Sequence, residues 1–265
     1  EQGKFSKRYI PALWDFLVIL GIALIGLSCM AFIPKIAPQA LENYQQKKPR
    51  ESDELKEMLA LLNPIGDFKA MAIIFWVNAL VYIVLLLLGI NFLAPTAQEL
   101  LQYGGVSRPT ILKGQYWRLI TANFIHSGLL HLLSNIYALG LVGFTLHYYL
   151  KTYQSLLLYF LCSIGACLSS IYWHENIVSV GASGAIFGLI GVLLSLHITY
   201  KISSKDINAP SPWLALIPLG VSLLLGFGAV GIDNAGHVGG LITGFLLGIL
   251  ISLFKWISIT SDEKS

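Results

Sequence analysis

The chain has 265 residues, of which 55% are hydrophobic and only 12% charged, and its formal net charge is +3. A soluble domain carries about 25% charged residues, so this composition, with a mean hydropathy of +0.71, excludes an ordinary soluble globular protein. The small net charge gives no reason to expect nucleic acid as a partner, because basic residues in loops are explained by orientation across a membrane.

The apolar residues gather in runs of about 20, the length that crosses a hydrocarbon core about 30 Å thick. Unpaired backbone cannot face lipid, and the runs lack the period-2 alternation of a barrel strand. The expected fold is therefore an all-α polytopic membrane protein. In chain order, the first predicted span covers 13–33 and stops at Pro34. It lacks a small-residue cleavage site followed by a soluble domain, so it is expected to be a membrane span rather than a cleavable leader. A polar stretch follows over 35–69, with six basic and six acidic residues. Inside it Leu55, Met58, Leu59 and Leu62 share one helical face behind Ser52 as an N-cap, which predicts an amphipathic segment lying along the membrane surface or packed on the protein.

The second span is predicted over 70–93. The connection over 94–128 carries "GQYWRLITANFIHSG" and is long for a compact bundle, so it is expected to have its own structure. Further spans are predicted over 129–150, 155–173, 182–200, 213–230 and 236–256, joined by short connections. Lys151, Lys201 and Lys205 lie in two of these connections and Lys255 and Lys264 at the end of the last span and in the tail, whereas "HENIVSVG" and "VGIDNAG" carry no Lys or Arg. Positive residues mark the cytoplasmic side, which turns the latter two loops outward and the C-terminus inward. Lys4, Lys7 and Arg8 before the first span argue the other way. The stretch after that span has twice as many basic residues and is assigned to the cytoplasm.

Four polar groups converge at one depth. Ser183 opens its span after one outward loop, and His237 opens the last span after the other. His131 lies near the outer start of a third helix, and Asn135 is one turn further along the same face. Any one of them alone would be an ordinary helix-packing residue. Together they carry a chemistry: a neutral histidine within reach takes the proton of a serine nucleophile. Asn135, His131 and the Ser183 amide at an exposed helix start are suitable donors for an oxyanion. Asp15 sits in the first span, and Asp233 and Glu175 lie in loops, so a Ser–His dyad is expected rather than a triad.

Gly236, Gly240, Gly244 and Gly248 repeat every four residues, and Gly184, Gly188 and Gly191 line the serine helix. Small residues at this spacing let helix backbones approach closely. That is ordinary packing, and here it would also bring Ser183 against His237. The nucleophile elbow of soluble hydrolases is excluded, because its fifth position is Ala185 here and no strand precedes the turn. Cys29, Cys162 and Cys167 all lie in apolar runs and read as packing residues, so neither a metal nor another cofactor is expected.

"GASGAIFG" (181–188), "HLLSN" (131–135) and "AGHVGG" (235–240) together resemble the signature of the rhomboid intramembrane serine proteases. "YWR" (116–118) is similar to the tryptophan–arginine pair of that family's first loop, and His126 falls where the family often has a loop histidine. The resemblance covers 70–256 and implies a six-helix rhomboid-like catalytic core there. Residues 1–69 would add one extra N-terminal transmembrane helix and the charged linker, and 257–265 a cytoplasmic tail. It implies Ser183 as nucleophile, His237 as general base and His131 and Asn135 as oxyanion partners. Gly181 and Gly184 flank the serine. Phe187 would pack on the His237 ring where relatives often carry tyrosine, with plain core packing as the alternative. Trp117 and Arg118 would shape the loop rather than touch substrate.

The implied substrates are single-pass transmembrane proteins within the lipid bilayer. A helix hides its amide bonds, so cleavage requires local unwinding near the outer end, eased by Gly or Pro. The helix beginning at Trp213 and the "VGIDNAG" loop are candidates for a gate and a cap. The extra first span is similar to mitochondrial members, whereas the visible start has no transit-peptide pattern, and the expected location is a bacterial inner membrane. Two other classes compete. A rhomboid-fold chaperone or adaptor would have no need of both Ser183 and His237. A small-solute transporter would show an inverted repeat and polar groups near the midplane.

Overall fold

The computed structural model describes residues 68–147, 149–203 and 232–254. The predicted span over 13–33, the amphipathic stretch, Cys29, the span over 213–230 and the tail after 256 lie outside them. The described residues form α1 (Lys69–Leu87), α2 (Ala97–Tyr103), α3 (Arg108–Leu112), α4 (Arg118–Thr121), α5 (Leu129–Leu146), α6 (Thr152–Trp173), α7 (Ser183–Ser203) and α8 (Asn234–Leu253). A short 3-10 turn follows α4. Among the described residues the only β-pairing is one isolated antiparallel bridge, Val106 with Ser179. Helices α1, α5, α6 and α8 are long and apolar enough to cross a membrane. The all-α polytopic architecture expected from composition is what these residues adopt.

Helix boundaries differ from the sequence reading where local chemistry intervenes. The apolar run beginning at 70 does not continue to 93, because Gly89 takes a left-handed conformation with φ +87°. Its N–H donates to the Leu86 carbonyl at 3.0 Å and that of Ile90 to Leu85 at 3.1 Å. This is a Schellman ending, completed by apolar contact between Leu85 and Ile90. Helix α6 starts earlier than predicted, at Thr152, since the Gln154 side chain accepts the Lys151 amide at 2.8 Å and caps the first turn. Helix α5 stops at Leu146, before the predicted 150.

Helix α7 is apolar on every face, so it is stable only when surrounded. Ala185, Ile186, Leu189, Val192, Leu193 and Leu196 are all essentially inaccessible. It packs against both α6 and α8 through small residues. A Cβ on Gly240 would run into the Gly184 carbonyl oxygen, one on Gly244 into that of Gly188, and one on Gly191 into that of Leu241. Toward α6, a Cβ on Gly188 would strike Cys162. Cys162 and Cys167 are buried and free, as packing residues should be. The other face of α8 exposes Ile242, Leu246, Leu250 and Leu253, and α1 exposes Leu80, Ile83 and Leu87. Apolar stripes of this extent are explained by lipid contact, in keeping with an integral, multi-pass membrane protein.

The long connection over 94–128 has the structure its length demanded. Thr96 and Glu99 form a capping box that opens α2: the Thr96 amide donates to Glu99 Oε2 at 2.6 Å and the Glu99 amide to Thr96 Oγ1 at 3.2 Å. The first of these bonds holds the Glu99 carboxyl below the usual carboxylate range. Arg118 is buried and draws the loop around itself. Its guanidinium donates to the carbonyls of Leu101 at 2.5 Å and Gly105 at 2.8 Å and to Gln115 Oε1 at 2.6 Å. The Trp117 ring lies 4.4 Å from its charge centre. Asn123 joins the loop to α6 by donating to Ser163 Oγ, which itself donates to the Leu119 carbonyl at 3.1 Å. The pair Trp117–Arg118 therefore shapes the loop, as expected.

Arg118→Ala strands two carbonyls that a charged donor had satisfied, a loss of about 2 kcal/mol. A lowered thermal midpoint of the detergent-solubilised variant is expected. An unchanged midpoint would mean that the guanidinium does not organise the loop.

Candidate active site

Three helices deliver the four polar groups. Ser183 is the first residue of α7, and His237 lies in the first turn of α8. Their side chains meet: Ser183 Oγ and His237 Nε2 are 2.8 Å apart. The His237 ring stacks on Phe187 with centroids 4.5 Å apart and planes 26° from parallel. Phe187 is four residues after Ser183 on the same face of α7, so one helix presents both the hydroxyl and the surface that fixes the imidazole. His237 Nδ1 is buried without a hydrogen-bond partner, so among the described residues no carboxylate is hydrogen-bonded to the ring.

The turn before Ser183 is fixed by glycine. Gly181 has φ +106°, a conformation that side chains rarely adopt, and its N–H donates to the Ala122 carbonyl at 2.8 Å. A Cβ there would lie 2.5 Å from His131 Cε1, 2.8 Å from His131 Nε2 and 3.4 Å from Asn135 Nδ2. Those side chains from α5 thus reach the turn that precedes the serine. At Gly184 the constraint is packing, since a Cβ would sit 2.6 Å from that of Ala166.

The protonation of His131 follows from its neighbours. The Ser127 amide, which can only donate, lies 3.4 Å from His131 Nδ1, and Ser127 Oγ lies 2.9 Å from it. Nδ1 is then the acceptor, and the neutral ring carries its proton on Nε2, the nitrogen beside Gly181. Asn135 Nδ2 is a buried donor with no partner. Two N–H donors therefore stand near the backbone that leads into Ser183, whose own amide is one of the unsatisfied groups at a helix start. Such a set can accept negative charge developing on an oxygen near Ser183 Oγ.

His126 lies one shell out. Its ring is edge-on to His131, with centroids 5.2 Å apart. Burial, with His131 beside it, pushes its pKa well below the ordinary histidine value, so it is a neutral packing partner at pH 7. Among the described residues there is no group of His, Cys, Asp and Glu able to hold a metal ion.

Sequence reasoning overlooked Ser127 and Ser179 and placed Asp233 in a loop without assigning it a bond. Asp233 caps α8 by accepting the Gly236 amide at 2.9 Å and accepts Ser179 Oγ–H at 2.6 Å. An aspartate just before an apolar helix is a cap signal that the sequence did display. Nothing in the sequence linked Ser179 to it. The connection over 174–181 meets Asp233, from the other loop predicted to face outward, through Ser179 and His174.

A family model described as Rhomboid domain matches residues 113–254. RHOMBOID-like protein 4 of Arabidopsis thaliana is 34% identical over 172 residues, 63% of this chain and 43% of that protein. Rhomboid protease GluP of Bacillus subtilis (strain 168) is 34% identical over 178 residues, 67% of this chain and 34% of that protein. Rhomboid-like protease 1 of Toxoplasma gondii is 32% identical over 199 residues, 72% of this chain and 67% of that protein. The chain spans about half the length of the curated relatives it matches. With a domain match over 113–254 of 265 residues, a stretch that holds His131, Asn135, Ser183 and His237, the chain belongs to the rhomboid family.

Proposed function

We propose that this chain is an intramembrane serine endopeptidase that cleaves the transmembrane helices of single-pass membrane proteins near the outer leaflet. The observation that carries the reading is the 2.8 Å approach of Ser183 Oγ to His237 Nε2 at the start of two helices. The names of two relatives, a rhomboid protease of Bacillus subtilis and a rhomboid-like protease of Toxoplasma gondii, support it. On this reading 70–256 is the catalytic core, 1–69 an N-terminal span and linker, and 257–265 a cytoplasmic tail. A bacterial inner membrane is the proposed location, supported by the similarity to the bacterial protease. The mitochondrial relative from Arabidopsis thaliana would favour an organellar one, and cell fractionation separates the two.

The chemistry uses only side chains already described. Ser183 Oγ attacks the scissile carbonyl carbon while its proton passes to His237 Nε2. The carbonyl oxygen becomes an oxyanion and is met by His131 Nε2–H, Asn135 Nδ2 and the Ser183 amide. The imidazolium has no carboxylate partner, and the stacked Phe187 face stabilises its charge. Collapse breaks the C–N bond, and His237 returns the proton to the leaving amine. Water then attacks the acyl-serine, His237 takes its proton, and release of the acid restores Ser183–OH. The family resemblance and the need to expose an amide bond by local unwinding support a single-pass substrate.

Two results test this. A fluorescent fluorophosphonate should label the detergent-solubilised protein and fail to label Ser183→Ala and His237→Ala. Equal labelling of Ser183→Ala would remove the serine from the chemistry and leave a membrane-helix binding protein. Asn135→Ala should slow cleavage of a transmembrane reporter about a hundredfold, the usual cost of one oxyanion donor, with its thermal midpoint retained. Cleavage at the wild-type rate would exclude Asn135 from the oxyanion site.

A further inference from the structure

Four residues before each member of the dyad, a second pair of side chains is bonded. Ser179 Oγ donates to Asp233 Oδ2 at 2.6 Å, just as Ser183 and His237 meet at 2.8 Å. Both partners of this outer pair are anchored. The Ser179 amide donates to the Val106 carbonyl at 2.8 Å, and the Val106 amide donates back at 3.0 Å. Asp233 Oδ1 accepts the Gly236 amide at 2.9 Å, and its backbone carbonyl accepts that of His237 at 3.0 Å. The remaining titratable neighbour is His174, whose Nε2 lies 3.7 Å from Asp233 Oδ1.

A helix cap needs one carboxylate oxygen. Here both are used, one on α8 and the other on the segment that leads into Ser183. Asp233 is not the third member of a triad, since His237 Nδ1 is buried without a hydrogen-bond partner. Its carboxylate acts instead as a strap between the two backbones that carry the nucleophile and the base. Charge-assisted bonds of this kind are short and about twice as strong as neutral ones. The strap lies one helical turn beyond the dyad on α8, where the glycine contacts with α7 have yet to begin.

We infer that Asp233 and Ser179 form a positioning pair that sets the distance between Ser183 and His237, in place of the carboxylate that would orient the histidine in a triad. This rests on the serine hydrolase reading and goes beyond it, because neither residue touches the reacting atoms. Misplacement by about 1 Å costs up to about a hundredfold in rate, so the strap should govern the maximal rate rather than probe affinity.

The test is the kinetics of fluorophosphonate labelling in detergent for the wild type, Ser179→Ala, Asp233→Ala, Asp233→Asn and the double alanine variant. Ser179→Ala leaves the Gly236 cap in place, so it remains informative even if Asp233→Ala fails to fold. The expected result is a maximal labelling rate about tenfold lower in Ser179→Ala, at an unchanged half-saturating probe concentration. The double variant should be no slower than Asp233→Ala. Asparagine should restore most of the rate, since its Oδ1 can cap Gly236 while its Nδ2 donates to Ser179 Oγ. Wild-type labelling with Ser179→Ala just as fast, multiplicative effects in the double variant, or a change confined to half-saturation would overturn the positioning role alone. A wild type that does not label at all overturns it together with the hydrolase reading.

Discussion

The structure depends on the direct backbone contact between α7 and α8. Gly240 lies against the Gly184 carbonyl and Gly244 against that of Gly188, so along this stretch no side chain separates the two backbones. In a bilayer, lipid tails are as apolar as leucine, and helix association relies on close packing rather than on burial from water. Removing side chains from this seam is therefore what lets the helices associate, and it also shortens the span between their first turns to a hydrogen bond. Stability and site geometry come from the same glycines.

That seam sets the electrostatics of the site. A close interface at the helix starts leaves room for Ser183, His237 and the Phe187 ring, and His237 Nδ1 is left without a carboxylate. The nearest acidic residue along α8, Asp233, spends its two oxygens on Ser179 and Gly236. The His237 ring is thus held by stacking and by its backbone, while α5 brings two donors to the turn at Gly181. The loop organised by Arg118 supports this arrangement from outside, since the 3-10 turn that follows α4 supplies the Ala122 carbonyl that fixes Gly181.

Much of this was legible in the sequence. The long helices among the described residues followed from apolar runs, and the gathering of Ser183, His237, His131 and Asn135 was signalled by their places at helix starts and by the stacking of positions four apart. The four-residue glycine repeat announced a close seam, and the pairing of Gly240 with Gly184 is its consequence. What the sequence withheld was non-local. The Schellman ending that stops α1 at Leu87 competes with an apolar run that continues beyond it, and composition cannot rank the two. The Ser179–Asp233 bond joins residues 54 apart and has no periodic signal. The tautomer of His131 depends on the Ser127 amide folding back onto it, a property of the loop's path.

The claim that backbone contact sets the dyad is tested most directly by placing one methyl group in the seam and one outside it. Gly244→Ala would drive a Cβ into Gly188, whereas at Gly140 on α5 a Cβ meets nothing within 4 Å. Both changes raise intrinsic helix propensity by about 1 kcal/mol, so propensity cannot separate them. The measurement is the rate at which a fluorophosphonate labels Ser183 in each folded variant. The account predicts a large loss of labelling in Gly244→Ala and a wild-type rate in Gly140→Ala. Equal rates in the two variants would contradict it and would locate control of the dyad elsewhere than the glycine seam.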